Sequence, residues 1–146
     1  LGPGFALMLY IWLKDKYDKE PLLYIVISFL LGILSALPAI YLSGFFESIG
    51  LVRDGTPLGT AKFAWITVAF SEELAKFAML FIHAYRKKHF DEPFDGIVYA
   101  VMISMGFATL ENVIYVFSGD GSSSYRIALM RMFTAVPAHF TFAVLM

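Results

Sequence analysis

The sequence predicts an all-α fold: a polytopic transmembrane helix bundle of about five or more spans. Three observations carry that reading. Of the 146 residues, 59% are hydrophobic and 17% aromatic, whereas soluble domains run at roughly 45–50% apolar. Only 16% are charged, where ~25% is usual, and the mean hydropathy is +0.71. The apolar residues fall in long runs parted by short polar stretches, and a helix needs ~20 apolar residues to cross the hydrocarbon core. No period-two pattern, internal repeat or low-complexity tract competes with this reading.

The balance of charge narrows the function. A net charge of −1 leaves no basic surplus to neutralise phosphates, which argues against a nucleic-acid partner. Cysteine is absent, so disulfides and thiolate-bound metals are excluded. The first residue is Leu1 and both ends lie in apolar sequence. The chain therefore reads as a trimmed, single integral-membrane domain over 1–146, without the n-region and cleavage site of a secretory signal.

Residues 5–13 are apolar but too short to span, and read as the end of a first helix. Lys14 to Glu20 form a charged loop, and Pro21 suits the opening of the next helix. The second span is 22–46, with a kink expected at Pro38, because proline removes a backbone bond. Residues 47–62 read as a mixed loop with a turn at Asp54-Gly55-Thr56-Pro57. The third span is 63–82. A polar stretch, 83–94, follows, in which Asp91 or Asp95 can cap the next helix. Residues 96–117 are the fourth span, 119–124 a flexible loop, and 125–146 the fifth span, containing Pro137 and His139. His83 and His89 flank the third loop and read as interfacial rather than as ligands.

Lysine and arginine set orientation. Loop one carries Lys14, Lys16 and Lys19, and loop three Arg86, Lys87 and Lys88. Opposite them stand Arg53, Lys62, Arg126 and, one turn into its span, Arg131. Loops one and three are expected on the cytoplasmic side of a multi-pass cell-membrane protein.

The anomalies lie inside the spans. Phe70-Ser71-Glu72-Glu73-Leu74-Ala75-Lys76-Phe77 places three charges in an apolar run, and a charge at bilayer depth costs at least ~2.5–3.5 kcal/mol unless it pairs or works. Lys76 is i,i+4 from Glu72 and i,i+3 from Glu73, so it can reach either carboxylate. The two glutamates point about 100° apart, so a structural pair accounts for one and leaves the other over. Glu111 has no basic residue within a turn, so its partner must come from another helix. His139 follows Pro137, which frees a carbonyl one turn earlier and can bend the helix and admit water.

Depth brings these residues together. At ~1.5 Å per residue, Glu72 and Glu73 lie about 15 Å from Lys62, Glu111 about 10 Å from Ser118, and His139 about 20 Å from Tyr125. All three distances are measured from the same membrane face. Three carboxylates and an imidazole at one depth suit a glutamate acting as general base on water, with histidine or a protonated acid stabilising the oxyanion. They suit equally a divalent metal such as Zn2+ on Glu72, Glu73, Glu111 and His139 that activates the water. No His-Glu-x-x-His helix supports the metal locally, and Lys76 would repel a cation.

Glu-Glu-x-x-Lys at Glu72-Glu73-Lys76, Phe-x-x-x-Glu at Phe107 and Glu111, and Pro-x-His at Pro137 and His139 together resemble the PrsW family of intramembrane proteases, related to the CAAX prenyl proteases. The likeness runs from Lys14 to about Ala143 and includes Phe94-Asp95-Gly96-Ile97-Val98-Tyr99. It implies cleavage of a membrane-anchored protein, for example an anti-sigma factor, with Glu72, Glu73, Glu111 and His139 as the active-site set. One departure is Ala143, where the wider superfamily often has a polar residue. Any oxyanion-stabilising role carried there passes to Glu111, Asn112 or backbone. The reading is thus an intramembrane endopeptidase, with Lys76 and Asn112 in support. A proton- or ion-coupled transporter and a non-catalytic scaffold are the rivals. Asn112 alone would read as a helix–helix hydrogen bonder.

Overall fold

The computed structural model describes residues 2–16, 19–84, 90, 92–118 and 121–146. Among them every regular element is helical: α1 (Gly2–Lys14), α2 (Leu22–Leu34), α3 (Ala36–Ser48), α4 (Pro57–Lys62), a π-helix (Phe63–Phe70), α5 (Ser71–His83), α6 (Pro93–Phe117), α7 (Gly121–Phe133) and α8 (Ala135–Leu145). These join into five rods, since α2 runs into α3, α4 continues through the π-helix into α5, and α7 runs into α8. Among the described residues, three stretches are long and apolar enough to cross a membrane: Leu22–Ser48, Pro93–Phe117 and Ser124–Leu145. The all-helical expectation is met, and three spans, not five or more, satisfy length and apolarity among the described residues. The rod 57–83 is long enough but carries Glu72, Glu73 and Lys76 in its middle, and α1 has 13 residues.

Both proline expectations materialise one turn upstream of the ring. Pro38 offers no N–H to the carbonyl of Leu34 and crowds it, and the rod breaks at Ser35, whose hydroxyl donates to the Gly32 carbonyl at 2.6 Å. Pro137 acts alike on Phe133. The break falls at Thr134, whose hydroxyl donates to the Met130 carbonyl at 2.8 Å.

The core is built on α6, where every residue from Val98 to Ala108 is buried. α2 lies against it so closely that the backbones touch. A methyl added at Gly32 would fall on the carbonyl of Ile103, and one at Gly106 on the carbonyl of Phe29. With lipid as solvent, such small-residue contacts replace hydrophobic burial as the source of helix association. Large apolar side chains such as Leu22, Tyr41, Trp65, Ile82 and Phe117 point outward, as a lipid-facing surface requires.

Several local expectations are corrected. Helix resumes at Pro57 inside the predicted loop 47–62. Thr56 caps it by accepting the Gly59 N–H at 3.0 Å, a Thr-Pro start that the sequence displays. Gly121–Ser124 belong to α7 rather than to a loop. The cap of α6 is Glu92, and Asp95 at the third helical position accepts the Glu92 N–H at 2.8 Å. His83, read as interfacial, is buried between the rings of Tyr24 and Tyr99, with centroids 6.0 and 6.1 Å away. The charged first loop is not simply solvated either. Asp15 and Glu20 are buried with Asp95 and Tyr99, the Tyr99 hydroxyl donates to Glu20, and Asp15 accepts the Glu20 N–H at 3.4 Å. Asp91, His89 and the Arg86-Lys87-Lys88 run lie outside the described residues.

The π-helix leads directly into the acidic pair. Widened turns of this kind are rare and frequently sit at functional sites. Here Ser43 of α3 donates to the Thr67 carbonyl, and the fully buried Thr67 hydroxyl donates to the Leu51 carbonyl, both at 2.9 Å.

Candidate active site

Lys76 is the hub. Its ammonium is wholly buried, 2.6 Å from Glu73 Oε1, 2.9 Å from His139 Nδ1 and 3.9 Å from Glu72 Oε2. It also lies 4.2 Å from the centre of the Phe107 ring, a cation–π contact strengthened by exclusion of water. The two glutamates are therefore unequal: Lys76 hydrogen-bonds Glu73 at 2.6 Å and meets Glu72 only as a longer ion pair at 3.9 Å.

His139 links the pair to Glu111. A lysine ammonium only donates, so Nδ1 accepts from Lys76 and Nε2 carries the proton that it donates to Glu111 Oε2 at 2.9 Å. The Ser104 hydroxyl donates to the His139 carbonyl at 2.8 Å. The Phe107 ring packs on the imidazole with centroids 5.6 Å apart. Two residues of the Phe-x-x-x-Glu motif thus meet the histidine from one face of α6.

Arg131 completes the set and was missed as a site residue. It pairs with Glu111 Oε2 at 2.7 Å, and its Nε donates to Asn112 Oδ1 at 2.6 Å. Glu111 finds its base on another helix, as its surroundings demanded. Asn112 acts on Arg131 and has no direct bond to His139 or the acidic pair. The overlooked signal was a cation one turn inside an apolar run, the same anomaly that exposed Lys76. Ala143, one turn beyond His139, packs in the apolar core with Val98 and Met105.

Glu72 and Glu111 both line a cleft of about 400 Å³ between α3 and α6. Glu72, held by Lys76 only through the longer 3.9 Å ion pair, thus faces the cleft beside a second carboxylate paired to arginine and histidine.

A family model described as PrsW family intramembrane metalloprotease matches residues 20–146. The chain belongs to that family. It is 35% identical over 146 residues to Protease PrsW of Geobacillus kaustophilus, covering all of this chain and 61% of that one. It is 36% identical over 130 residues to Protease PrsW of Bacillus subtilis, covering 89% and 57%. The Clostridioides difficile protein of that name is 32% identical over 139 residues, with 95% and 58% covered. The chain thus spans about three fifths of the length of these PrsW relatives. No solved structure matches it.

The family description implies a metal, and the donors can be tested for it. Ligand-type atoms of Glu72, Glu73 and His139 lie within 4.8 Å of one another, two carboxylates and an imidazole of the kind zinc accepts. Glu73 Oε2 is buried without a hydrogen-bond partner. The set fits in type and spacing, with Lys76 holding two of the same residues. Glu111, a fourth candidate, stands on the far side of the imidazole and is engaged by Arg131.

Proposed function

We propose that this chain forms the catalytic part of an intramembrane endopeptidase that hydrolyses a membrane-anchored protein, such as an anti-sigma factor. The observation that carries the proposal is the division between the glutamates. Glu73 is fixed by Lys76 at 2.6 Å, and Glu72 lines the cleft beside Glu111. In this reading Glu72 takes the proton from the attacking water as general base. Lys76 fixes Glu73 in place and holds His139 in one tautomer. The His139 Nε2–H and the Arg131 guanidinium are the donors near which negative charge on the scissile carbonyl oxygen would be stabilised. In the alternative, metal-assisted form of the reading, Glu72 would instead join Glu73 and His139 in holding a divalent metal, which when bound supplies a Lewis acid that makes a water nucleophilic near neutral pH.

Cleavage of a single-span substrate tethered in proteoliposomes tests this. The full-length protein should cut it, and Glu72→Gln should reduce the rate by at least ~100-fold, the scale of a lost general base. Activity equal to wild type in that variant would remove Glu72 from the mechanism.

The lysine and arginine balance further supports loops one and three as cytoplasmic, so the site would open toward the opposite side of the cell membrane. A reporter fused after Lys88 should read as cytoplasmic, and the reverse result would invert the orientation.

A further inference from the structure

The cleft between α3 and α6 has a direction. α3 and α5 run antiparallel, with Ala39 packed against Ala75 and Ser43 bonded to the Thr67 carbonyl. By that register Glu72 lies level with the region of Ile40. Glu47, on the same wall of the cleft, stands seven residues further along α3, about 10 Å nearer the membrane face of the 47–62 connection, the loop-two face. Glu47 is exposed, and among the described residues no side chain hydrogen-bonds or ion-pairs with it. The lining contains three carboxylates, Glu47, Glu72 and Glu111, and no lysine or arginine. Glu72 and Glu111 have cationic neighbours behind the cleft wall, which leaves Glu47 as the uncompensated charge at its mouth.

We infer that this cleft seats the substrate in extended form, and that Glu47 selects a lysine or arginine about three residues from the scissile bond, on the side toward the loop-two face. The inference rests on the protease reading and adds a specificity determinant to it. The spacing follows from ~3.3 Å per extended residue over about 10 Å. Selection follows because a carboxylate at the mouth of a low-dielectric groove attracts a cation and repels an acid. The occupant is a peptide because the groove continues to the carboxylates that would hydrolyse it.

The test uses the full-length protein in proteoliposomes and three tethered substrates that differ only in Lys, Gln or Glu at that position. Cleavage rate is one readout. Binding of the same peptides to the Glu72→Gln variant, by fluorescence anisotropy, is the other. Wild type should favour Lys over Glu by roughly tenfold, the scale of one good charge contact. Glu47→Gln should flatten the preference and Glu47→Lys reverse it, in both readouts. Cleavage of all three substrates at one rate, or a preference unchanged in Glu47→Lys, overturns the inference and leaves the protease reading standing. Charge-selective binding that Glu47→Lys reverses, without cleavage of any substrate, supports the cleft assignment and overturns the protease reading.

Discussion

Lys76 Nζ donates to His139 Nδ1 across 2.9 Å, and 63 positions of sequence separate the two. The bond dictates which imidazole nitrogen carries the proton, so an amine on α5 decides what α8 can offer to Glu111. It also places an ammonium among the donors that a divalent metal would use. Lys76→Met should therefore do two opposite things. It should tighten zinc binding by at least ~10-fold, because the competing cation is gone. It should also destabilise the metal-free protein by about 3 kcal/mol, because Glu73 loses its buried partner. Zinc content by mass spectrometry and thermal unfolding check the two effects. His139→Ala should lose the ion, and chelation should stop cleavage. Active protein that holds no stoichiometric metal and ignores chelators would leave a water activated by glutamate alone.

The acidic pair should separate by mutation. Glu72→Gln is expected to leave the unfolding temperature within a few degrees of wild type while abolishing cleavage. Glu73→Gln should weaken stability, since it deprives Lys76 of its shortest contact. Full activity in both variants would sink the protease assignment.

Stability should depend on Glu20. Its carboxyl is raised from 4.5 to about 7, first by burial, while Asp95 and Asp15 push the same way and the Tyr99 hydroxyl opposes them. A raised acid favours the folded state while protonated. That contribution is complete below about 4.5 and is lost as pH climbs through about 7. Glu20→Gln, neutral at every pH, should unfold at a higher temperature than wild type at pH 8 and at a similar temperature at pH 5. Equal pH profiles in the two proteins would refute this.

Gly32→Ala and Gly106→Ala should each separate α2 from α6, since the added methyl lands on a backbone carbonyl that cannot swing aside. Because α6 carries Phe107 and Glu111 into the site, loss of activity should accompany a drop in unfolding temperature of several degrees, on the scale expected for ~1–3 kcal/mol of overpacking. Ala at Gly44, where an added carbon meets nothing within 4 Å, is the matched control for stability.

How much was legible in the sequence follows from how local each signal is. Charges inside apolar runs are costly wherever the chain folds, so Glu72, Glu73, Lys76, Glu111 and His139 stood out without a structure, and helical rise placed them at one depth. The partnering of Glu73 rather than Glu72 was not legible, because i,i+3 and i,i+4 are both within a lysine's reach. Arg131 was read as a topology signal, since one turn from a helix end its cost can be met by snorkelling to the interface. Asp15 and Glu20 sat in a run of charges that looked solvated, and only tertiary packing buries them. The break at Ser35 required following the consequence of Pro38 to the carbonyl that it orphans.

The π-helix Phe63–Phe70 has a consequence for how this site can change over generations. Rings closed from i to i+5 hold more residues per turn than an α-helix does, so the stretch contains surplus chain immediately ahead of the acidic pair. A residue lost there can be absorbed when the coil tightens toward α, with Thr67 and its bonds to Ser43 and Leu51 surrendered. Between Glu72 and Lys76 there is no such slack, and one residue gained or lost turns the carboxylates about 100° away from the amine. A single deletion should therefore be tolerated ahead of Ser71, whereas an insertion or deletion between Glu72 and Lys76 should be lethal to the site.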